Sequence, residues 1–252
     1  KDFTAIGVVK ARLYVTACGL YEVKINGARV GNFVLAPGHT DYTKRIQYQT
    51  YDVTELIKSG ANVITAELAD GWYRGSCGLR NQYGTQTKLL AQLELTDGSG
   101  KISRIVTDES WKWSDNGPIT FADNKDGEIV DARKKPTYSG NAKLAKCKVV
   151  PSASNNVALT EHERFSNPKL IVTPKGAKVL DFGQNIAGYV AFSVNARAGQ
   201  RLVLRFGEMF DGEGEFTQKN IQCATKKRAT PLQKIEYTCK GGVNTYKTKF
   251  AI

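Results

Sequence analysis

Residues 62–75, N-V-I-T-A-E-L-A-D-G-W-Y-R-G, decide how the chain is read. Val63 to Leu68 is short and β-branched, so it reads as a buried strand with Ile64, Ala66 and Leu68 on one face. Asp70-Gly71 ends it with a turn signal. Trp72, Tyr73 and Arg74 follow directly. Aromatic faces stack on the C–H groups of a pyranose, and a guanidinium offers a planar fork of donors. Asp70, Trp72, Tyr73 and Arg74 are therefore candidate carbohydrate-binding residues. The competing reading makes Trp72 a core anchor and Arg74 a surface ion-pair partner.

Working outward, strands and turns dominate. Ala11 to Ala17 alternates, with Leu13, Val15 and Ala17 on one face. Tyr21, Val23 and Ile25 alternate next, and Asn26-Gly27 is a strong hairpin signal from which Ala28 to Val34 is expected to return. Ile46 to Tyr51 reads as a strand, and Asp52 to Lys58 as a short helix capped by Asp52 and ended by Gly60. A Gly-rich loop from Gly71 to Thr87 exceeds the usual connection length, which favours a functional loop. Further strands are expected at Leu89–Leu95, Ile102–Thr107, Trp111–Trp113, Val179–Phe182, Tyr189–Val194, Arg201–Phe206 and Ile235–Cys239. Residues 114–136 read as loop-rich and acidic, and Ser152 to Asn156 as a linker. Many short strands at about 8–12-residue spacing predict an all-β chain of two β-sandwich or jelly-roll modules, 1–150 and 151–252.

Composition narrows the function. The 252 residues carry a formal net charge of +12. The basic residues are scattered, as at Lys44-Arg45, Lys134-Lys135 and Lys226-Lys227-Arg228, and no nucleic-acid motif accompanies them. A polyanion would be attracted by charge alone, but nucleic acid is not an expected partner. No apolar run of about 18 residues exists to span a membrane. The chain starts at Lys1 without an initiator Met, so it reads as a piece of a longer protein. Five cysteines at wide spacing, with no C-x-x-C and only His39 and His162 to assist, argue against structural zinc. Most are expected to be buried free thiols.

Chemical motifs are sparse. Asp123, Asp126 and Glu128 lie in an oxygen-rich turn, which reads either as a calcium site or as a solvated acidic turn; the spacing is not that of an EF-hand. Glycoside hydrolysis needs two facing carboxylates. Asp70, Glu128, Asp181 and Glu208 are available, but no pattern pairs them. No G-x-S-x-G occurs, and no catalytic residue is assigned.

Two segments carry a family resemblance. A-R-L-Y-V-T-A-C-G-L-Y-E-V-K-I-N-G (11–27), L-A-P-G-H-T-D-Y (35–42), Y-Q-T-Y-D-V-T (48–54), G-W-Y-R-G (71–75) and D-G-E-I-V-D-A-R (126–133) resemble the N-terminal domain of bacterial α-L-rhamnosidases. V-L-D-F-G-Q-N-I-A-G-Y-V (179–190) and F-G-E-M-F (206–210) resemble the family's concanavalin-like module, here incomplete. The resemblance implies enzymes that remove terminal L-rhamnose from plant glycans with inversion, using glutamates of a helical barrel downstream. It implies that this chain is a non-catalytic accessory region, inactive alone, that supports the barrel and contacts glycan. The implied partners are rhamnose-containing plant glycans and the downstream catalytic domain, in the periplasm or outside the cell. No cofactor is required, and calcium is the single candidate. The rivals are a free-standing carbohydrate-binding module with Trp72 as platform, and a purely structural interdomain scaffold.

Overall fold

The structure, a computed structural model, describes residues 1–76, 80–155, 157–224 and 229–251. Cys77, Asn156 and the Lys226-Lys227-Arg228 cluster lie outside the described residues. The chain forms two compact units, Lys1–Gly117 with Lys135–Thr160, and Pro118–Lys134 with Glu161–Ile252. It is β throughout apart from short turns, as its alternating patterns predict. No described helix is long and apolar enough to cross a membrane.

The first unit is a sandwich of two sheets. One contains β1 (Asp2–Ala5), β3 (Leu20–Ile25), β4 (Ala28–Arg29) and β6 (Gly60–Ala69), in the order β1-β6-β3-β4. The other contains β2 (Val8–Cys18), β5 (Gln47–Asp52), β7 (Lys88–Asp97) and β8 (Ile102–Val106), in the order β5-β2-β7-β8. The two-residue strand Ser152–Ala153 joins the edge beside β5 in parallel. Period-2 alternation puts Ala11, Leu13, Val15 and Ala17 of β2 inside, against Ala91, Leu93 and Leu95 of β7. From the opposite sheet Val23, Ile25 and Ile64 meet them in one core. Each fully buried aliphatic side chain contributes about 1.5–3 kcal/mol.

The Asn26-Gly27 hairpin forms with both turn residues at positive φ, 52° and 84°. Its return strand is only Ala28–Arg29, shorter than expected. Gly31, at φ +64°, turns the chain where a Cβ would strike the Tyr51 ring. The expected helix over Asp52–Lys58 is a single 3-10 turn, Thr54–Leu56. Asp52 Oδ1 accepts from the Thr54 N–H (3.0 Å) and hydroxyl (2.7 Å), and this local turn replaces helical bonding. Buried Asn62 then clamps the entry to β6: its Oδ1 accepts from Lys58 N–H (2.9 Å) and its Nδ2 donates to the Lys58 carbonyl (2.7 Å). Within β6, Ile64 is buried, but Leu68 is exposed and Ala69 buried, so burial crosses faces before the strand ends.

The second unit corrects two expectations. Residues 114–136 are not loop alone: within them Ile119–Asp123 and Gly127–Asp131 form an antiparallel hairpin. Its second strand runs parallel to Lys234–Thr238, which pairs in turn with Arg201–Arg205. The hairpin therefore belongs to the second unit, and the chain does not divide once at 150/151. Acidic side chains masked the strand pattern because two of them, Asp123 and Glu128, point inward. Val130, Ala196, Tyr237 and Cys239 make the buried core, ringed by Phe192, Val194, Leu202 and Tyr246. A separate hairpin, Lys169–Val172 with Lys178–Asp181, sets Leu170 opposite Leu180 with both exposed.

Candidate functional site

The chain leaves β6 through Gly71, at φ +53°, where a Cβ would sit 2.6 Å from Leu20 Cγ. Glycine lets the backbone turn tightly against that leucine, and Gly71–Arg74 follows as one α-helical turn. Successive residues of such a turn point about 100° apart, so the candidates separate. Tyr73 turns inward. It is 6% exposed and packs with Cys18, Tyr42 and Ile46. Its ring lies 5.2 Å from Tyr42, edge-on, and 6.3 Å from Tyr83, stacked. Burial raises its phenol pKa. The expectation that Tyr73 meets sugar is corrected to a packing role, because its ring faces are already occupied.

Trp72 is half-buried, with the exposed His39 ring 5.6 Å away at 32°. Arg74 Nε lies 2.9 Å from Asp70 Oδ1, an i,i+4 ion pair across the turn. The structure thus brings together Asp70, Trp72 and Arg74, and adds His39. The available sequence signal for His39 was P-G-H-T-D-Y (37–42), which supplies a turn and a ring but no distance to Trp72. The arrangement presents a π surface beside a partly exposed guanidinium, which suits a sugar ring with one hydrogen-bonded edge. Two surface concavities, one lined by Asp2–Thr4, Asn26 and 61–63 and the other by Val9, Lys10 and 52–56, do not include this turn.

Asp123, Asp126 and Glu128 belong to the second unit. They form neither a solvated turn nor an oxygen cage, since all three are essentially buried and accept hydrogen bonds from protein donors. Asp123 Oδ1 accepts from the N–H groups of Lys125 (2.9 Å) and Asp126 (3.0 Å). Asp126 Oδ1 accepts from Leu232 N–H at 3.0 Å. Glu128 accepts from the Tyr246 hydroxyl (2.5 Å), the Lys249 N–H (2.9 Å) and the Phe250 N–H. Burial raises the Glu128 pKa despite these bonds. Among the described residues no three His, Cys, Asp or Glu side chains gather as a metal set. The calcium expectation thus finds no fit at these residues. The other carboxylates considered are also engaged locally: Asp181 with Gly183 N–H, and Glu208 with Asn185 and Asn220.

Comparison with known proteins places this geometry. The α-L-rhamnosidase N-terminal domain matches residues 7–173, and the bacterial α-L-rhamnosidase concanavalin-like domain matches 171–252. The chain belongs to the α-L-rhamnosidase family. An α-L-rhamnosidase of Streptomyces avermitilis is 40% identical over 262 residues, covering 96% of this chain and 24% of that protein. One from Formosa agariphila is 36% identical, covering 86% of this chain and 25% of that protein. The crystal structure of the S. avermitilis α-L-rhamnosidase complexed with L-rhamnose superposes with a TM-score of 0.91 at 36% identity, over 100% of this chain and 25% of that one. Native α-L-rhamnosidase from Aspergillus terreus gives 0.90 at 32% identity, over 100% of this chain and 30% of that one. The chain thus spans about a quarter of the length of the curated relatives it matches.

Proposed function

We propose that this chain is a non-catalytic accessory region of an α-L-rhamnosidase that removes terminal L-rhamnose from plant glycans. Its two β modules support a catalytic domain downstream, and the Trp72 turn makes a weak glycan contact. Periplasmic or secreted placement goes with a polymeric plant substrate. The observation that carries the reading is the in-order match of both modules to about a quarter of each relative. The paired, exposed Leu170 and Leu180 add apolar surface suited to a neighbouring domain.

The Trp72–His39 ring pair favours glycan contact over a purely structural scaffold. An aromatic platform acts through apolar area, roughly 25 cal/mol per Å² removed from water. Such a contact supports binding of about −4 kcal/mol, a millimolar Kd. The test has two arms. The 252-residue chain should turn over no chromogenic α-L-rhamnoside; turnover that disappears on substituting one of its own carboxylates would overturn the accessory role. Titration with L-rhamnose and rhamnogalacturonan oligosaccharides should show millimolar binding that Trp72→Ala abolishes while leaving the melting curve in place. Absence of binding at tens of millimolar sugar leaves the scaffold reading instead.

A further inference from the structure

Beneath the Trp72 turn, and independent of any sugar contact, two cysteines distant in sequence meet. β2 ends at Cys18, whose partner across the sheet is Lys88 of β7. Lys88 Nζ donates to the Lys146 carbonyl at 2.9 Å, which fixes the chain immediately before Cys147. Just after it, Val149 packs on the cluster of Cys18, Tyr42, Ile46 and Tyr73. Ser152 N–H then donates to Ile46 O at 2.9 Å. Held on both sides, and with its own thiol donating to the Val149 carbonyl at 3.4 Å, Cys147 is kept beside Cys18, close enough to be among the groups that raise the Cys18 pKa. Both cysteines are free; Cys18 is buried and Cys147 exposed.

We propose that Cys18 and Cys147 form a redox-active dithiol that closes to a disulfide, stapling the segment around 147 to the end of β2. The oxidant is a small-molecule disulfide of the glutathione type. The exposed Cys147 thiolate attacks it first. The reagent's S–S bond breaks, one reagent thiol leaves, and a mixed disulfide forms on Cys147. Cys18 then loses its proton to solvent base and attacks Cys147 Sγ. The Cys18–Cys147 bond forms and the second reagent thiol leaves. One disulfide and two protein thiols become one protein disulfide and two reagent thiols, so electrons and atoms balance. Exposure decides the order. Burial pushes the Cys18 thiol up to about 11, so it is protonated at neutral pH and acts as the resolving group.

The 252-residue chain is incubated with oxidised glutathione in mildly alkaline buffer, alkylated, digested without reduction and mapped. The expected result is a linked peptide pair containing Cys18 and Cys147, loss of two titratable thiols, an intact mass lower by two hydrogens, and full reversal by dithiothreitol. Cys147→Ser should remove the linked pair. Cys18→Ala should leave Cys147 holding a stable glutathione adduct. Wild type carrying glutathione on Cys147 with Cys18 still alkylatable after unfolding would overturn the proposal. So would a link from either residue to Cys77, Cys223 or Cys239.

Discussion

In the first unit, side chains from both sheets, Leu13, Val15, Ile25, Ile64 and Leu93 among them, close one apolar core. In the second, the buried apolar cluster is Val130, Ala196, Tyr237 and Cys239, and the fully buried side chains include Glu128, Asp123, Asp126 and Asn244. Glu128 joins the Gly127–Asp131 strand to Tyr246 and to the amides of Lys249 and Phe250, across 118 or more residues of sequence. Apolar cores tolerate changes of shape that keep volume, whereas a buried polar hub fails when one partner is lost. The first unit should therefore respond to cavity size and little to pH, and the second to hydrogen-bond loss and to pH.

All three tryptophans, Trp72, Trp111 and Trp113, fall in the first unit, so their fluorescence follows that unit alone. The largest effect expected is from Leu93→Ala, which removes a 1%-exposed side chain directly opposite Leu13. It should destabilise the tryptophan-reported transition by about 2–5 kcal/mol in urea titrations, with the Lys249 and Phe250 amides keeping their exchange protection. Loss of protection at those amides as well would break the division into two separately held units.

Next comes Glu128→Ala, expected to cost about 2–4 kcal/mol because a half-buried hydroxyl and two amides lose their acceptor. Hydrogen exchange at Lys249 and Phe250 reads it. The pH dependence carries a sign. Glu128 has a raised folded pKa, so between the ordinary carboxylate range and that value the folded state holds more protons than the unfolded. Stability of the second unit should fall as pH rises through this window. Glu128→Gln should flatten the slope; an unchanged slope assigns it to another group.

Gly71→Ala should cost about 1–2 kcal/mol, since a Cβ is strained at φ +53° and meets Leu20. Its effect belongs to the tryptophan-reported transition. The smallest effect is at Glu161, which Lys247, Arg164 and the Tyr189 hydroxyl hold down to about 2. Its contribution is present above the ordinary carboxylate value and lost as pH falls toward about 2. Lys247→Met should return its titration, followed by carboxyl NMR, toward the ordinary range while leaving the melting temperature nearly unchanged.

Much of the first unit was legible because its signals are local. Period-2 alternation marked β2, β3 and β7, and Asn26-Gly27 can take the positive φ values that a tight hairpin demands. Candidate residues at the end of β6 were legible as types, an aromatic pair with a cation after a turn. Which ring faces solvent was not. Tyr73 and Trp72 are neighbours in sequence, and only the pocket formed by Cys18, Tyr42 and Ile46 sends one inward. Asp126 and Glu128 misled for the related reason that a carboxylate reads as solvated until its donors are located, and Leu232, Lys249 and Phe250 lie more than a hundred residues away.

The sequence by itself determined that this chain is β throughout, that a turn bearing Trp72 and Arg74 follows a central strand, and that its motifs are those of α-L-rhamnosidases. Each of these is written in residues close together in the chain. Tertiary structure alone decided that residues 118–134 join the second unit, that Glu128 is a buried hub, that His39 stands by Trp72, and that the segment around Cys147 is held against the cluster containing Cys18. These pairings depend on which strand edges and apolar faces meet after collapse, a choice made by long-range hydrogen-bond register and burial, neither of which leaves a local period to read.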